Sequence, residues 1–164
     1  TATGDGEVHI TWTELIGTGL RDADSDQYIH YRLLGTDAVT NIGGPPVVVN
    51  SAFPSWSISS VAARVGTVCA VWHGHTEYDN RGSTYEEISV RCSKDGGQTW
   101  LHTVQASETE DDASLFPKAI VDTQGSVHLI WVEYGPLGSI PEGVYYRTGN
   151  PVRATFLPLV LRAR

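Results

Sequence analysis

Short apolar runs recur along the chain, and each is bounded by glycine, proline or polar turn residues. The clearest run extends from Gly125 to Trp131 and is mostly apolar or aromatic. Runs of this length with β-branched and aromatic side chains predict strands, whereas the spacing of an amphipathic helix is absent. The five Trp, seven Tyr and seventeen Gly agree with this interpretation. The pattern predicts an all-β protein.

The same run occurs three times, as Gly6–Trp12, Gly66–Trp72 and Gly125–Trp131, with its glycines 60 and 59 residues apart. Two further elements, an arginine that ends a second run and a Phe-Pro pair, recur with a similar period: Arg32, Arg91 and Arg147; Phe53-Pro54 and Phe116-Pro117. Self-similarity at a fixed period indicates a structural unit that is repeated along the chain. We therefore expect about three repeats.

Residues 93–100 lie between two strand-like runs and have the composition of a hairpin turn. Asp and Ser side chains can bind nearby backbone amides, and two glycines supply positive φ. The pattern Ser-x-Asp-x-Gly-x-Thr-Trp is formed by Ser93, Asp95, Gly97, Thr99 and Trp100. It resembles the Asp box of the sialidase-like, or BNR-repeat, β-propellers. In that family the box is a structural turn between the third and fourth strands of a blade, away from the active site, so the resemblance implies a fold and not catalysis.

The resemblance implies that each period is one propeller blade, a four-stranded antiparallel sheet that neighbouring blades cover on both faces. The expected strands, from first to fourth, lie near residues 60–64 and 118–122; 7–13, 67–73 and 126–133; 28–33, 87–92 and 143–148; and 45–49, 100–105 and 155–161. Residues 1–50 would form a partial blade with the last three strands, and residues 51–107 a full blade with the Asp box. Residues 108–164 would form a third blade that ends in an apolar tail strand.

Three blades are too few for a closed propeller, which needs about four to eight. We expect the chain to be completed by other copies of itself, as a homo-oligomer, or by the remainder of a longer chain. Two copies would supply six blades, the number typical of the family that the chain resembles. The apolar tail, 155–162, is either the fourth strand of its own blade or a strand donated to a neighbouring subunit.

The two cysteines occupy second and third strands of the same repeat. Cys69 lies where the other repeats have His9 and His128, and Cys92 lies where they have Leu33 and Thr148. Adjacent antiparallel strands would bring the two cysteines nearly opposite each other. The interpretation that we favour is a cross-strand disulfide, which would imply an extracellular or cell-surface location. Two unrelated buried thiols and a zinc site are the alternatives, and zinc is the weakest because no Cys-x-x-Cys spacing is present.

The charge balance is acidic, with nineteen acidic against eleven basic residues and a net charge of -8. This argues against nucleic acid or an anionic membrane as a partner, and no apolar run is long enough for membrane insertion. Fourteen of the nineteen acidic residues fall in connections that the propeller interpretation places on one face: Glu14, Asp22, Asp24, Asp26, Glu77, Asp79, Glu86, Glu87, Glu108, Glu110, Asp111, Asp112, Glu133 and Glu142. Such a face repels anionic ligands and attracts cations.

Calcium is the one cofactor that the sequence suggests. Asp22, Asp24 and Asp26 alternate as in the first part of a calcium loop. Gln27 and Leu33 stand where an EF-hand has its glycine and its glutamate, so only a calcium site of another type remains. A solvated acidic loop is the alternative. His73 and His75 lack a third ligand in view and are expected to be ordinary loop residues.

We assign no catalytic residue. The sialidases use three arginines, a Tyr nucleophile with a Glu partner and an Asp acid/base. Arg32, Arg91 and Arg147 recur at one repeat position, which is simpler to explain by a structural role. The repeated Trp12, Trp72 and Trp131, together with Trp100, are expected in the core. Aromatic residues in connections are candidates for contact with a sugar, although each could instead pack against a neighbouring blade: Trp56, Tyr78, Tyr85 and Tyr134.

The sequence therefore predicts a secreted, non-catalytic Asp-box propeller module that binds a carbohydrate or a protein or that assembles with itself. One alternative is a fragment of a sialidase-like glycoside hydrolase, with catalytic residues partly elsewhere. Another is a structural subunit of an extracellular fibre or layer.

Overall fold

A computed structural model describes residues 1–3, 6–16, 26–35, 46–49, 59–75, 86–107, 113–135, 140–150 and 155–159. This part of the chain contains strands and turns and no helix. The strands are β1 Val8–Ile16, β2 Asp26–Leu34, β3 Val47–Val48, β4 Ser59–Arg64, β5 Thr67–His75, β6 Glu86–Ser93, β7 Val104–Gln105, β8 Ala113–Val121, β9 Val127–Tyr134, β10 Pro141–Asn150 and β11 Thr155–Leu159. The prediction of an all-β protein is confirmed.

The strands form three antiparallel sheets, and in each sheet consecutive strands lie side by side. Sheet 1 has the order β1-β2-β3, sheet 2 the order β4-β5-β6-β7 and sheet 3 the order β8-β9-β10-β11. Every pairing is antiparallel, as short connections between neighbouring strands require. None of the three sheets is closed on itself.

The free edge of β1 is partly covered by the first residues of the chain. Ala2 forms a β-bridge with Val8, and the backbones of Thr1 and His9 exchange two hydrogen bonds of 2.7 and 2.8 Å. Residues 1–3 thus lie beside β1 in the position that β4 has beside β5. The sequence predicted that sheet 1 would lack a first strand, so a segment in this position was not expected.

Strand β8 is longer than the sequence indicated, because it continues through the Phe-Pro pair by a bulge. Leu115 pairs with Val132, the register then shifts, and pairing resumes between Lys118 and Ile130. Phe116 has φ of 57°, and Pro117 has no N–H to donate to the ladder. Pro117 is therefore compatible with a strand here, although the sequence pattern predicted a strand that begins only after Pro117.

The sheets stack in chain order, and both junctions use the same two kinds of face. The tryptophan face of a sheet is the face that carries Trp12, Trp72 or Trp131, and the other is the opposite face. Between sheets 1 and 2, Ile29, Tyr31 and Val49 pack against the tryptophan face of sheet 2, with Val68, Ala70 and Trp72. Between sheets 2 and 3, the opposite face of sheet 2 packs against the tryptophan face of sheet 3, and the buried residues there include Cys69, Val71, Val90, Val127, Leu129 and Trp131.

This stacking buries both faces of sheet 2 and only one face of its neighbours. Trp72 and Trp131 are 7% and 5% exposed, as expected for core residues. Trp12 is only half-buried and stacks on His30, with ring centroids 5.3 Å apart. The expectation that Trp12 lies in the core is wrong, because no described sheet packs on the tryptophan face of sheet 1.

The two ends of the stack differ in the length of their connections. The turn end contains the short turns at 65–66 and 122–126 and the Asp-box turn at 94–99. The loop end contains the end of β5, the start of β6, the start of β8 and the end of β9, and the longer connections leave the sheets there. No helix in the described residues is long and apolar enough to cross a membrane.

Candidate functional site

The loop end of sheets 2 and 3 brings together buried acidic and hydroxyl groups. Glu87 is the second residue of β6 and is 5% exposed, and Glu133 is the penultimate residue of β9 and is fully buried. Ser114 Oγ lies 2.8 and 2.9 Å from the two carboxylate oxygens of Glu133 and 3.5 Å from Glu87 Oε2. The Ser114 hydroxyl thus donates to Glu133 and lies between carboxylates of two different sheets.

Further donors surround these two carboxylates. Ser107 Oγ donates to Glu87 Oε2 and accepts the Ile88 N–H at 2.7 Å, while Trp131 Nε1 donates to Glu133 Oε1. Buried carboxylates are normally paired or hydrogen-bonded in this way, since desolvation of an unpartnered carboxylate is costly. The hydrogen bonds fix the position of both acidic groups between the sheets.

A third carboxyl group, that of Glu86, lies at the same end. Its side chain is 18% exposed, and its Oε2 lies 3.6 Å from His73 Nε2. The backbone N–H of Phe116 donates to His73 Nδ1 at 3.1 Å, which directs the Nε2 of the ring towards Glu86. Burial raises the pKa of Glu86 to about 7, because removal from water disfavours the ionised form.

Aromatic rings lie beside His73 at this end. Phe116 is 44% exposed, and its ring centroid lies 5.9 Å from that of His73 and 6.2 Å from that of Tyr134, edge to face in both cases. Tyr134 is half-buried. The positive φ of Phe116, in the bulge of β8, holds this ring at the surface. We name the group formed by Glu86, Glu87, Glu133, Phe116 and Tyr134 the loop-end site.

The loop-end site combines flat apolar rings with hydrogen-bond acceptors. Carboxylates accept hydrogen bonds from hydroxyl or ammonium groups, and aromatic faces receive C–H groups or cations. Among the described residues, no three His, Cys, Asp or Glu side chains are grouped so that they could hold a metal ion.

Most of the binding residues that the sequence suggested are outside the described part of the chain. Trp56, Tyr78 and Tyr85 lie there, and so do Asp22 and Asp24 of the calcium hypothesis. Asp26 begins β2, but its side chain is also outside the described part. Tyr134 is the one suggested binding residue that the structure describes, and it belongs to the loop-end site.

Residues 93–100, the segment that resembles an Asp box and keeps that label here, form a hydrogen-bonded turn at the opposite, turn end. Asp95 accepts hydrogen bonds from the Thr99 hydroxyl at 2.5 Å, the Thr99 N–H at 2.8 Å and the Ser93 hydroxyl at 2.7 Å. These bonds, led by that from the Thr99 hydroxyl, lower the pKa of Asp95 to about 2. Ser93 Oγ also accepts the Gly97 N–H, and Trp100 Nε1 donates to the Gly97 carbonyl.

The Asp box also attaches sheet 2 to sheet 1. Tyr31 of β2 donates to the Gly96 carbonyl at 3.2 Å, and its ring meets Trp100 edge to face at 4.9 Å. Burial, with a smaller contribution from the Glu7 carboxylate, raises the pKa of Tyr31 above its usual range. These contacts give every part of the box a structural role, and the box does not contribute to the loop-end site.

A disulfide joins Cys69 and Cys92, which are directly opposite each other on β5 and β6. The bridge closes a sequence separation of 23 residues. A loop of this size is worth about 3 kcal/mol on the chain-entropy estimate. The predicted disulfide is thus present, and it fastens the central sheet on the face that packs against sheet 3.

The repeated arginines bind backbone carbonyls of the preceding sheet. Arg91 of β6 donates to the Val49 carbonyl of sheet 1 at 3.2 Å and to the Leu101 carbonyl at 2.6 Å. Arg147 of β10 donates to the Ala106 carbonyl of sheet 2. Val49 and Ala106 are equivalent positions, because each follows the last strand of its sheet. The two arginines join neighbouring sheets, as their repetition in the sequence suggested.

Several residues of the loop-end site were not recognised from the sequence. Ser107 and Ser114 lie at strand ends, where serine usually indicates only a turn, and their partners come from other strands. The Phe-Pro pair was recognised as a repeat, yet it did not indicate that Phe116 would be exposed. A proline inside an otherwise regular strand was the available signal, since proline within a sheet is typical of a bulge.

No protein-family model matches the chain, and a search of curated proteins also gave no match.

Proposed function

We propose that this chain is a three-blade segment of an Asp-box β-propeller and acts as an extracellular, non-catalytic module that binds a carbohydrate. The propeller assignment is supported by three antiparallel sheets that stack in chain order with one polarity. It is also supported by the arginine contacts between sheets and by the Asp-box turn. The disulfide between Cys69 and Cys92 supports an oxidising, extracellular location.

A groove between the sheets is consistent with the centre of a propeller. It has a volume of about 970 Å³ and is lined by residues 1–3, 62–65 and 119–123. These segments belong to the first position of each sheet, and the first strands of propeller blades line the central channel. The remaining blades would come from other copies of the chain or from the rest of a longer chain.

The single observation that carries the binding function is the loop-end site. Phe116 exposes its ring beside Tyr134 and contacts His73, whose Nε2 lies 3.6 Å from the carboxyl group of Glu86. Sugars present C–H faces that suit aromatic rings and hydroxyl groups that suit carboxylate acceptors. A protein ligand is the other class that such a surface suits.

The charge of this end favours a neutral or cationic sugar over a sialoside. Glu14, Glu86, Glu87, Glu133 and Glu142 all lie in strands near the loop end. A ligand carboxylate would be repelled by these groups. Arg91 and Arg147, which would be needed to bind it, are already hydrogen-bonded to backbone carbonyls.

The test is binding of the full chain to an array of neutral and sialylated oligosaccharides, followed by calorimetry with the best ligand. We expect neutral glycans to bind, and we expect Phe116→Ala to reduce affinity by about fivefold or more, since an aromatic contact contributes about 1 kcal/mol or more. The matched control is Val65→Ala, which removes an exposed apolar side chain at the turn end.

Two results would contradict this function. Equal binding by Phe116→Ala and the unchanged chain would show that any ligand binds elsewhere. Turnover of a fluorogenic sialoside by the purified chain would support the glycoside hydrolase instead.

A further inference from the structure

The two outermost faces of the stack are of the two different kinds that meet at each internal junction. At both internal junctions, the opposite face of one sheet packs against the tryptophan face of the next. Sheet 1 leaves a tryptophan face without a described sheet on it, and sheet 3 leaves an opposite face. The faces that remain are therefore of the two kinds that already pack together twice in this molecule.

The outer face of sheet 3 has the apolar surface that such a junction requires. Ile120, Ile130 and Val144 are 65%, 45% and 46% exposed. Their register places them together with the half-buried Val132 on neighbouring strands β8, β9 and β10. At the equivalent position of sheet 2, Val71 is fully buried by sheet 3. Lys118, which is exposed and pairs with Ile130, lies on the same face. Exposed apolar groups that share one face of a sheet indicate a contact surface.

The outer face of sheet 1 contains Arg32, at the repeat position whose arginines join neighbouring sheets elsewhere in the chain. Arg32 pairs with Ile10, just as Arg91 pairs with Ala70 and Arg147 with Leu129. Arg91 and Arg147 each donate through Nη1 to a carbonyl of the preceding sheet, and the Nε of Arg91 donates to the Leu101 carbonyl of its own sheet. The Nε of Arg32 is buried and has no hydrogen-bond partner among the described residues. A buried donor of this kind is costly unless an acceptor is supplied.

We propose that a second copy of this chain supplies both missing halves. The outer face of sheet 3 of each copy packs on the tryptophan face of sheet 1 of the other, over Trp12 and Ile10. Arg32 then donates to a backbone carbonyl near the last strand of the partner's sheet 3. Two such junctions are related by a twofold axis and close a ring of six sheets, within the range that forms closed propellers.

This inference rests on the proposed propeller arrangement but not on the carbohydrate. A second copy is the occupant that the structure favours, because the interface would continue a packing mode that the chain already uses at both of its internal junctions. A face built for an unrelated protein would have no reason to retain an arginine at the position of the inter-sheet contact.

The first experiment is the mass of the purified, disulfide-bonded chain by light scattering. We expect a particle of twice the chain mass. Ile130→Glu places a charge in the centre of the sheet 3 patch and should give a monomer with an unchanged near-ultraviolet circular dichroism spectrum. Val65→Glu makes the same kind of change at the turn end, where Val65 is 81% exposed, and should remain a dimer.

Mixing two monomeric variants tests which faces meet. Ile130→Glu blocks the sheet 3 face, and Trp12→Glu blocks the sheet 1 face. A mixture should form a heterodimer through the one junction in which both faces are unchanged. If the dimer instead formed by contact between two sheet 3 faces, no heterodimer would form. The Ile130→Glu partner would always bring a charged sheet 3 face to that contact.

A further pair of variants separates the two arginine environments. Arg32→Met should weaken the dimer about tenfold or more and leave the unfolding of the monomeric Ile130→Glu background unchanged. Arg91→Met should destabilise that monomer, because its contacts lie inside one chain.

A folded monomer, or particles whose mass Ile130→Glu does not reduce, would overturn the inference. Either result would leave the loop-end site intact, so glycan binding can be measured on the same samples. Loss of glycan binding in a chain that still dimerises would contradict only the proposed function.

Discussion

Glu86 is the residue whose environment most clearly predicts a pH effect. Its pKa is raised from 4.5 to about 7 by burial, so between these values the folded chain holds a proton that the unfolded chain releases. Because the folded state binds more protons in this window, stability falls as the pH rises through it. The effect is opposite to that of Asp95, whose pKa is lowered by the hydrogen bonds of the Asp box.

Replacement of this group by its neutral analogue should remove the pH effect. We expect Glu86→Gln to have the same melting temperature as the unchanged chain at about pH 5 and a higher one at about pH 8. Thermal unfolding at both pH values measures this. Glu142→Gln, an exposed glutamate at the same end, should change neither value. A parallel pH profile for Glu86→Gln would show that the burial of Glu86 has no consequence for stability.

At the scale of elements, the Asp-box turn and β2 are fitted to each other. A Cβ on Gly97 would lie 2.4 Å from the Tyr31 ring, and Gly97 has φ of 95°. Gly96, the preceding residue, has φ of 73°, but a Cβ there would meet nothing within 4 Å. Both glycines therefore need a backbone with positive φ, but only at Gly97 would an added Cβ meet a side chain of sheet 1.

This difference predicts unequal effects of the same substitution. Gly96→Ala should cost about 1 to 2 kcal/mol for the left-handed backbone. Gly97→Ala should cost about 1 to 3 kcal/mol more, because it also displaces the buried Tyr31. Urea unfolding compares the two free energies of unfolding. Equal losses would mean that Tyr31 moves aside freely and that the turn does not fasten sheet 1.

The sequence predicted the strands well because their signals are local. The repeated runs that end in Trp72 and Trp131 became β5 and β9, and the position of Asp95 between two runs indicated the turn. The proximity of Cys69 and Cys92 was also accessible, since placing them nearly opposite each other needed only the repeat and antiparallel geometry. In sheets 1 and 3 the equivalent histidines instead bind tyrosines, His9 to Tyr31 at 2.8 Å and His128 to Tyr146 at 2.6 Å.

The loop-end site was much less predictable because its residues come from different sheets. Ser114 contacts Glu133 across two strands and Glu87 across the junction, and no local pattern connects these positions. Trp12 was misjudged for a related reason. Its repeat position matches that of buried Trp72, but burial depends on whether another sheet covers the face.

At the scale of the whole molecule, the described sheets form a linear stack. Sheet 2 contacts both neighbours, and its two faces belong to two separate core clusters. In a stack of this kind, stability is approximately the sum of the units and of the junctions between neighbours. A defect at one junction should therefore affect the two sheets that form it more than the third.

Leu129 and Ile29 allow this to be tested with matched substitutions. Both are fully buried, Leu129 at the junction of sheets 2 and 3 and Ile29 at the junction of sheets 1 and 2. Replacement of either by alanine should cost about 2 to 5 kcal/mol through lost burial and the resulting cavity. Hydrogen exchange measured by mass spectrometry reports where the protection of backbone amides is lost.

We expect Leu129→Ala to reduce protection in β9 and β10 most, to reduce it less in β5 and β6, and to affect β1 and β2 least. Ile29→Ala should give the reverse order, with sheet 3 affected least. The comparison is internally controlled, since each variant preserves the junction that the other disrupts. If both substitutions reduced protection equally in all three sheets, the molecule would open as one cooperative unit. The junctions would then act as parts of a single core. The two end faces, through which two copies are proposed to pair, would then not be independent of each other.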